Sequence, residues 1–259
     1  MPLTAIELDD LRHAKRCLES PSIAMRVTDL LGKPIEKGIK MLPKAASKSI
    51  HDIVHRALEK ALDAALVTLP TSKRTQASSR LHKLAIASTG ALGGFFGLPG
   101  LAIELPVTTV IMLRSVADIA RSEGHDVGQL EVQLACLEVF ALGGPSKGDD
   151  SVETGYYAIR GALAQVVSEA TQHVAHRGMT THGAPAMVRL IERVASRFGL
   201  VVQEKVALEM IPAIGAVSGA LINTIFMGHF QNTARGHFVI KRLEALHGMD
   251  AVREAYEQI

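Results

Sequence analysis

Two long segments without a charged side chain constrain the fold of this chain more than any other feature. Residues 84–103 make up twenty such positions and residues 210–228 nineteen, each close to the ~20 residues that cross a bilayer as a helix. Both segments are rich in Gly, Ala, Ser and Thr and contain Pro, whereas membrane spans are dominated by larger apolar residues. We therefore expect two buried helices in a soluble or peripheral protein, and two membrane spans are the alternative.

The composition favours helices that pack closely together. Hydrophobic residues make up 47% of the chain, aromatic residues only 4%, and Trp is absent. No run of alternating β-branched residues with hairpin turns is found, so the sequence predicts an all-α fold with a single helical domain. Helices are predicted over residues 152–176, from Pro185 onward, and over residues 200–210. Cys17 and Cys136 form no CxxC pair or disulfide framework, which fits a reducing cytoplasm.

Glycine spacing predicts that two glycine-rich apolar helices are central and packed together. In the second uncharged segment, Gly215, Gly219 and Asn223 follow one another at intervals of four residues and share one side of a helix. Each interior Gly costs about 1 kcal/mol of helix propensity relative to Ala, and close contact with another helix is the expected compensation. The predicted helix-packing glycines are Gly90, Gly94, Gly97, Gly215 and Gly219.

Glu104 is the only charged residue between positions 84 and 113, and it stands just before a Leu-Pro pair. One interpretation is an ordinary carboxylate in the first turn of a helix, where the helix dipole favours an acid. The other is a buried group that faces a polar partner such as Asn223 or Arg114 and marks a site. A bond from the Asn223 amide to Glu104 would fix the register of two helices. The candidate polar site consists of Glu104, Arg114, Asp118 and Asn223.

Basic residues are concentrated towards the N terminus. Residues 1–83 carry 15 Lys and Arg against 9 Asp and Glu, whereas residues 84–259 carry 13 against 17. Five lysines recur every three or four residues opposite an apolar stripe, as in a helix on an anionic membrane surface. An ordinary solvated lysine face is the alternative, and Pro34, Gly38 and Pro43 argue against one continuous helix. These lysines are Lys33, Lys37, Lys40, Lys44 and Lys48.

Motifs for catalysis, metal binding and nucleotide binding are weak. His51 and His55 have the spacing of a helical zinc site, but Asp stands in place of the hydrolytic Glu. The three histidines within residues 173–182 would meet around a metal only if the loop folded back. The glycines of residues 90–97 lack phosphate-loop spacing, and sparse aromatic residues argue against nucleic-acid binding. We predict no catalytic, metal, cofactor or nucleic-acid site from these motifs.

Two stretches of the chain together resemble the EcsC family of bacterial proteins. The first reads GALGGFFGLPGLAIELPVTTVIMLRSVADIARSEGHD and the second reads IPAIGAVSGALINTIFMGHFQNTARGHFVIKRLE. The resemblance covers about residues 70–250, although the family has Asp more often than Glu at position 104. The positions that match the family pattern are Glu104, Pro106, Gly124, Asp126, Pro212, Gly215, Gly219 and Asn223.

The resemblance implies an EcsC-like helical domain over residues 70–259, preceded by a basic amphipathic helical region over residues 1–69. The family is named after a protein encoded beside the subunits of an ABC-type exporter. It therefore implies a non-catalytic accessory role in membrane transport or secretion, with no established activity. A hydrolase that uses Glu104 as general base or metal ligand is the alternative. Because the N terminus lacks the apolar core of a secretory signal, we expect a cytoplasmic protein on the inner face of the membrane, bound to its surface or to a transport protein.

Overall fold

Nine helices account for nearly all of the chain that the computed structural model describes, which is residues 3–31, 44–68, 97–144, 152–177, 184–209 and 212–259. Within these ranges there is no strand, and the helices form one domain, which confirms the predicted all-α class. In chain order the helices are α1 (Ala5–Leu18), α2 (Ile23–Leu31), α3 (Lys44–Thr68), α4 (Gly97–Ser122), α5 (Leu130–Leu142), α6 (Val152–Arg177), α7 (Pro185–Glu209), α8 (Pro212–His247) and α9 (Met249–Gln258).

Local sequence signals explain several helix ends. Helix α1 begins with a capping box, in which the Glu7 carboxylate accepts a bond from Thr4 N at 2.8 Å and the Thr4 hydroxyl accepts one from Glu7 N. Gly124 follows the end of α4, and Gly248 follows the end of α8. Both glycines have a φ of 88°, a left-handed conformation that only glycine adopts without strain. Glycine therefore lets each helix stop while the chain continues into the next element.

Helix α7 is longer than the sequence predicts. We expected one helix from Pro185 and a separate one over residues 200–210, but a single 25-residue helix is present. Gly199 lies in its interior, where it costs about 1 kcal/mol of helix propensity. The burial of a continuous apolar face offsets that cost. Residues of this face include Val194, Phe198, Val201, Val202 and Leu208.

Helix α5 lies at the centre of the domain, a position that the sequence did not predict for it. Every residue from Val132 to Leu142 is buried, including the polar side chains of Gln133 and Glu138. The helix contacts α3, α4, α6, α7 and α8. A helix buried on all sides is apolar all round and shows no amphipathic stripe, so its sequence gives little sign of a central position.

Four phenylalanine rings fill the core where α5, α7 and α8 meet. Phe140 of α5 lies 4.9 Å from Phe198 of α7 and 5.3 Å from Phe230 of α8, measured between ring centroids. Phe226 lies 5.2 Å from Phe230 on the same helix. Tilted and edge-on ring pairs of this kind each add about 0.5–1.5 kcal/mol to the effect of burial. These rings therefore contribute to the contact of the three helices.

The predicted central pairing of two glycine-rich helices is not confirmed. Gly90 and Gly94 lie outside the described residues. Gly97 begins α4, and Gly215 and Gly219 belong to α8, but their surroundings are outside the described part of the chain as well. Helices α4 and α8 do contact each other. The role of these glycines in that contact stays a prediction.

Gly236, which was not singled out in the sequence, makes a close helix contact. A β-carbon on Gly236 of α8 would lie 2.7 Å from the carbonyl oxygen of Ala14 and 2.5 Å from Cγ of Leu18, both in α1. Both distances are too short for a real β-carbon. The Ala14 carbonyl belongs to the backbone of a packed helix, so it cannot shift away as easily as a flexible side chain can. Glycine at this position therefore lets the N-terminal helix lie directly on α8.

Helix α4 is long and apolar enough to cross a membrane by length and composition. Its candidate span, Pro99–Ser122, has a mean hydropathy of 1.5, and no other helix in the described ranges meets the same criteria. However, 61% of its most apolar window is buried inside the protein, and the core helix of a soluble protein meets these criteria too. The span is therefore weak support for insertion across a bilayer.

Candidate functional site

Glu104 lies in the third turn of α4 and not in its first turn. The helix begins at Gly97, and Pro106 stands in the helix interior. The interpretation of Glu104 as an ordinary helix-start carboxylate is therefore wrong, because the helix dipole acts mainly within the first turn. Pro99, the earlier of the two prolines in this stretch, occupies the first turn, where proline is tolerated. The helix therefore begins about two turns before the start that the first-turn interpretation of Glu104 assumed.

The side chain of Glu104 meets partners from two other helices in the domain interior. Its Oε1 atom accepts a bond from Lys205 Nζ of α7 at 3.0 Å and one from Asn223 Nδ2 of α8 at 2.8 Å. Lys205 Nζ also lies 2.9 Å from Oε1 of Glu209, one turn further along α7. We call these four residues the Glu104 cluster. The contact between Glu104 and Asn223 that the sequence suggested is present, and it joins α4 to α8.

The charged groups of the Glu104 cluster interact strongly because they are buried. Lys205 is only 1% exposed, and Glu104 is 7% exposed. Burial alone would lower the pKa of Lys205, but the carboxylates of Glu209 and Glu104 outweigh this effect and raise the pKa above its ordinary value. Burial raises the pKa of Glu209, and the neighbouring Lys205 ammonium opposes that shift. The ammonium group of Lys205 is therefore held in its charged form.

The geometry of the Glu104 cluster favours a structural role. A general base must reach a water or substrate proton, but Glu104 is buried and its Oε1 already accepts two bonds. A lysine nucleophile needs a lowered pKa, whereas the pKa of Lys205 is raised. Each charged group has a close partner of opposite charge, as a buried ion pair requires. The cluster can thus fix the relative positions of α4, α7 and α8.

Arg114 and Asp118, the two other residues of the predicted polar site, do not join the Glu104 cluster. Arg114 lies on the exposed side of α4. Asp118 pairs with Arg121 of the same helix, with Oδ1 and NH1 2.6 Å apart. A separate polar contact between α4 and α8 is present instead, because Gln231 Nε2 donates to the Ser115 hydroxyl at 2.9 Å. Of the predicted site, only Glu104 and Asn223 are therefore shown in contact, and Asp118 pairs with a residue outside it.

Lys205 is the member of the cluster that sequence reasoning missed, although its sequence carries a signal. It follows Val201 by four residues and Val202 by three, and it precedes Leu208 by three. These spacings place a lysine on the apolar face of an amphipathic helix. A charged residue at such a position is rarely buried without a partner of opposite sign. This pattern was enough to predict a buried lysine, though not its partner.

A second buried polar network joins α5, α6 and α8, and we call it the Tyr156 network. The Tyr156 hydroxyl lies 2.9 Å from His237 Nδ1, and His237 Nε2 lies 3.7 Å from Oε2 of Glu138. Arg160 forms two parallel bonds with Glu244, at 2.7 and 2.6 Å, and its NH1 atom lies 3.4 Å from the Tyr156 oxygen. None of these contacts was predicted, because no spacing along the chain connects the three helices.

Burial favours the neutral forms of Glu138, His237 and Tyr156, whereas Arg160 in the same network stays charged and pairs with Glu244. It raises the pKa of Glu138 to about 7, against the opposing effect of the Lys241 and Arg160 charges. It also lowers the pKa of His237 and raises that of Tyr156. The Nδ1 atom of the neutral His237 therefore accepts a hydrogen bond from the Tyr156 hydroxyl. The ring carries its own proton on Nε2, which faces Glu138. The tyrosine remains protonated and is no nucleophile near neutral pH.

The histidine pairs considered for metal binding take part in surface contacts. His51 Nε2 and His55 Nε2 of α3 lie 3.3 and 3.7 Å from the carboxylate of Glu192 on α7. His173 and His176 border a surface depression at the start of α7. In the ranges that the structure describes, no group of three or more His, Cys, Asp and Glu side chains has the arrangement of a metal site. His182 lies outside those ranges.

The predicted basic stripe is only partly within the described residues. Lys33, Lys37 and Lys40 lie outside them, and Lys44 is the first residue of α3. Lys48, one turn further, is exposed on α3. The contact of this stripe with an anionic surface stays a prediction.

Comparison with known proteins gives one result, and it concerns the family. Residues 6–243 match the EcsC protein family, so the match begins within the N-terminal region and reaches the last turns of α8. No curated protein and no solved structure matches the chain significantly. Since the matched residues are nearly the whole chain, the protein belongs to the EcsC family.

Proposed function

We propose that this protein is a non-catalytic, membrane-associated accessory protein that contacts the inner face of the cytoplasmic membrane through α4. The resemblance to the EcsC family adds a link to ABC-type transport or secretion, with the membrane surface or a membrane transport protein as partner. The observation that carries the proposal is an exposed apolar face on the N-terminal half of α4. No described contact favours the hydrolase alternative, because Glu104 is buried and paired.

The exposed apolar face of α4 consists of large side chains that point away from the core. Ile103 is 77% exposed and Val107, one turn later, is 50% exposed. Pro99 and Ala102 are exposed beside them. Residues four apart lie on the same side of a helix, so these side chains form one face. We call Pro99, Ala102, Ile103 and Val107 the α4 face.

The α4 face has the chemistry of a segment that enters the membrane interface. Scattered apolar residues on a protein surface are common, but contiguous apolar patches mark interaction sites. Arg114 lies on the same side of α4, seven residues after Val107, and is exposed. An arginine there can place its apolar stem along the membrane and its charge among anionic headgroups. The described contacts therefore support a helix that lies at the membrane interface better than one that crosses it.

Binding to vesicles tests the role of the α4 face. We expect the protein to sediment with vesicles of phosphatidylglycerol and phosphatidylethanolamine. The double substitution Ile103→Ser with Val107→Ser should weaken binding about tenfold or more, since each buried aliphatic side chain contributes on the order of 1 kcal/mol or more. Replacing Lys33, Lys37, Lys40, Lys44 and Lys48 by Gln should weaken binding further, by about 1 kcal/mol for each lysine that reaches the surface.

Leu246→Ser provides a matched control in the same chain. Leu246 is 65% exposed on α8, 23 residues after Asn223, and is therefore about 35 Å along that helix from the Glu104 cluster. Its loss should leave vesicle binding unchanged. Equal binding by the α4 variant and the wild-type protein would refute the proposed role of α4. Binding that survives alkaline extraction would instead favour membrane spans.

A further inference from the structure

Three arginines from three helices lie near Cys17, where α1 and α2 both pack on α8. Arg16 directly precedes Cys17 in α1. Arg235 belongs to the turn of α8 that lies on α1, because the next residue, Gly236, makes the close contact described above. Arg26 of α2 contributes the third charge. We call Arg16, Arg26 and Arg235 the arginine cluster.

The charges of the arginine cluster act on the Cys17 side chain, which is only 9% exposed. Burial raises the pKa of the Cys17 thiol, and the charges of the three arginines oppose this shift. No described carboxylate adds to these effects. Glu19, the nearest acid along the chain, lies beside Lys15, with Oε1 and Nζ 4.0 Å apart. The surroundings of Cys17 are therefore positively charged, without a counter-charge from the described residues.

Arg26 is the member of the arginine cluster with the fewest partners for its charge. The side chain is partly buried, and burial lowers its pKa. Its one described hydrogen bond runs from Nε to the carbonyl oxygen of Pro21 at 3.2 Å, so neither terminal nitrogen has an acceptor among the described residues. Removing a cation from water is costly unless an anion pairs with it. The Arg26 guanidinium thus keeps donors that an anionic ligand can use.

A phosphate monoester is the anion that suits the arginine cluster best. Arginine forms two parallel bonds to phosphate oxygens, and a phosphate monoester carries close to two negative charges above pH ~7. Three positive charges attract a dianion more strongly than a monoanion. A bond from Arg235 NH1 to Asn232 Oδ1 at 3.3 Å helps to hold one of the three guanidinium groups in place.

We propose that the arginine cluster binds the phosphate monoester group of a soluble compound or of a lipid headgroup. Arg26 and Arg235 hold the phosphate oxygens from α2 and α8, and the exposed Arg16 completes the site from α1. This site does not depend on membrane contact by the α4 face.

Two probes of similar shape test the role of charge. Methyl phosphate is largely a dianion at pH ~8, whereas methyl sulfate has the same tetrahedral form and a single negative charge. Affinities are measured by isothermal titration calorimetry at low ionic strength, where exposed charges are least screened. We expect methyl phosphate to bind at least about tenfold more tightly than methyl sulfate. Equal affinities, or no binding of methyl phosphate, would overturn the proposal.

Two variants locate the binding. Arg26→Gln removes the partly buried charge and should weaken the binding of methyl phosphate about tenfold or more. Arg16→Gln changes an exposed side chain, which leaves the fold intact, and should weaken binding about threefold. Arg189→Gln, an exposed arginine of α7, is the matched control and should bind like the wild type. Unchanged affinity in the Arg26 and Arg16 variants would place the probe elsewhere and refute the assignment.

Vesicles distinguish the two sources of the phosphate group. Phosphatidic acid has a phosphate monoester headgroup, whereas phosphatidylglycerol has a diester with one charge. The variant with Ile103→Ser and Val107→Ser is used, so that the α4 face does not contribute. For a lipid ligand, methyl phosphate should displace this variant from vesicles that contain phosphatidic acid, and for a soluble ligand these vesicles should not compete with methyl phosphate. Because methyl phosphate binding is measured without vesicles, this proposal and the role of the α4 face fail separately.

Discussion

The ion pair between Glu104 and Lys205 makes a sharp prediction about stability. Lys205→Met removes the cation between Glu104 and Glu209 and leaves two buried carboxylates without it. Breaking a buried pair in this way costs about 3–5 kcal/mol. Glu104→Gln is milder, because the amide oxygen still accepts from Asn223 and Lys205. Its expected cost is about 1–2 kcal/mol, the difference between charged and neutral hydrogen bonds.

The double variant decides whether the two residues act together. Once Lys205 is replaced by Met, Glu104→Gln removes a buried charge that has lost its main partner. We therefore expect Glu104→Gln to be neutral or stabilising in that background, although it destabilises the wild-type protein. The resulting coupling free energy is at least about 1–2 kcal/mol, the difference between the two effects of Glu104→Gln. Urea unfolding followed by far-ultraviolet circular dichroism measures it, since the chain has no Trp for fluorescence.

An exposed ion pair of the same chain provides the comparison. Arg189 NH2 and Glu169 Oε2 lie 2.6 Å apart, but their side chains are 57% and 37% exposed. Their coupling in the matched cycle, Arg189→Met with Glu169→Gln, should be much smaller than that of the buried pair, because solvent screens exposed charges. The reasoning about burial is refuted if both cycles give the same coupling. It also fails if Glu104→Gln costs the same, within about 0.5 kcal/mol, with and without Lys205.

Two further predictions concern the Tyr156 network and the contact of α1 with α8. Because burial raises the pKa of Glu138 to about 7, the folded protein keeps a proton that the unfolded chain releases, and stability falls as pH rises between about 5 and 7. The Glu138→Gln variant does not lose stability in this way. In urea unfolding, its free energy of unfolding relative to the wild type should therefore rise by about 2–3 kcal/mol from pH ~5 to pH ~8. A difference that stays constant with pH would contradict the raised pKa of Glu138. Gly236→Ala should lower the melting temperature through a cost of about 1–3 kcal/mol, because its β-carbon meets the Ala14 carbonyl. Gly161→Ala, which meets nothing within 4 Å, should instead stabilise α6 by about 0.5–1 kcal/mol, and equal effects at the two glycines would refute the close approach.

Helix formation was predictable from this sequence because its signals are local. Apolar spacing, prolines and terminal glycines all act within a few residues, and they predicted the all-α class and α6 almost to its ends. The errors also have local causes. Two helices were predicted where α7 is one, because the apolar face on both sides of Gly199 continues through it. The first-turn interpretation of Glu104 misplaced the start of α4, which lies about two turns earlier, at Gly97.

The candidate sites depend on contacts between helices, and most of these have no signal along the chain. The pairing of Glu104 with Asn223 was accessible because both are rare polar residues in apolar segments. The Tyr156 network was not, because His237 and Tyr156 are 81 residues apart and each is ordinary in its own helix.

The Glu104 cluster also explains why the α4 face points outward. The N-terminal half of α4 is apolar on every side, so the burial of apolar surface alone would not distinguish Leu105, which is buried, from Ile103, which is exposed. The bonds from Lys205 and Asn223 to Glu104 hold one side of the helix against α7 and α8. One full rotation of α4 has 3.6 residues, so fixing Glu104 inward fixes Ile103 about 100° away from it. We infer that the buried charge is kept for this orientation: apolar residues in its place would pack as well, but they would leave α4 free to expose another of its sides.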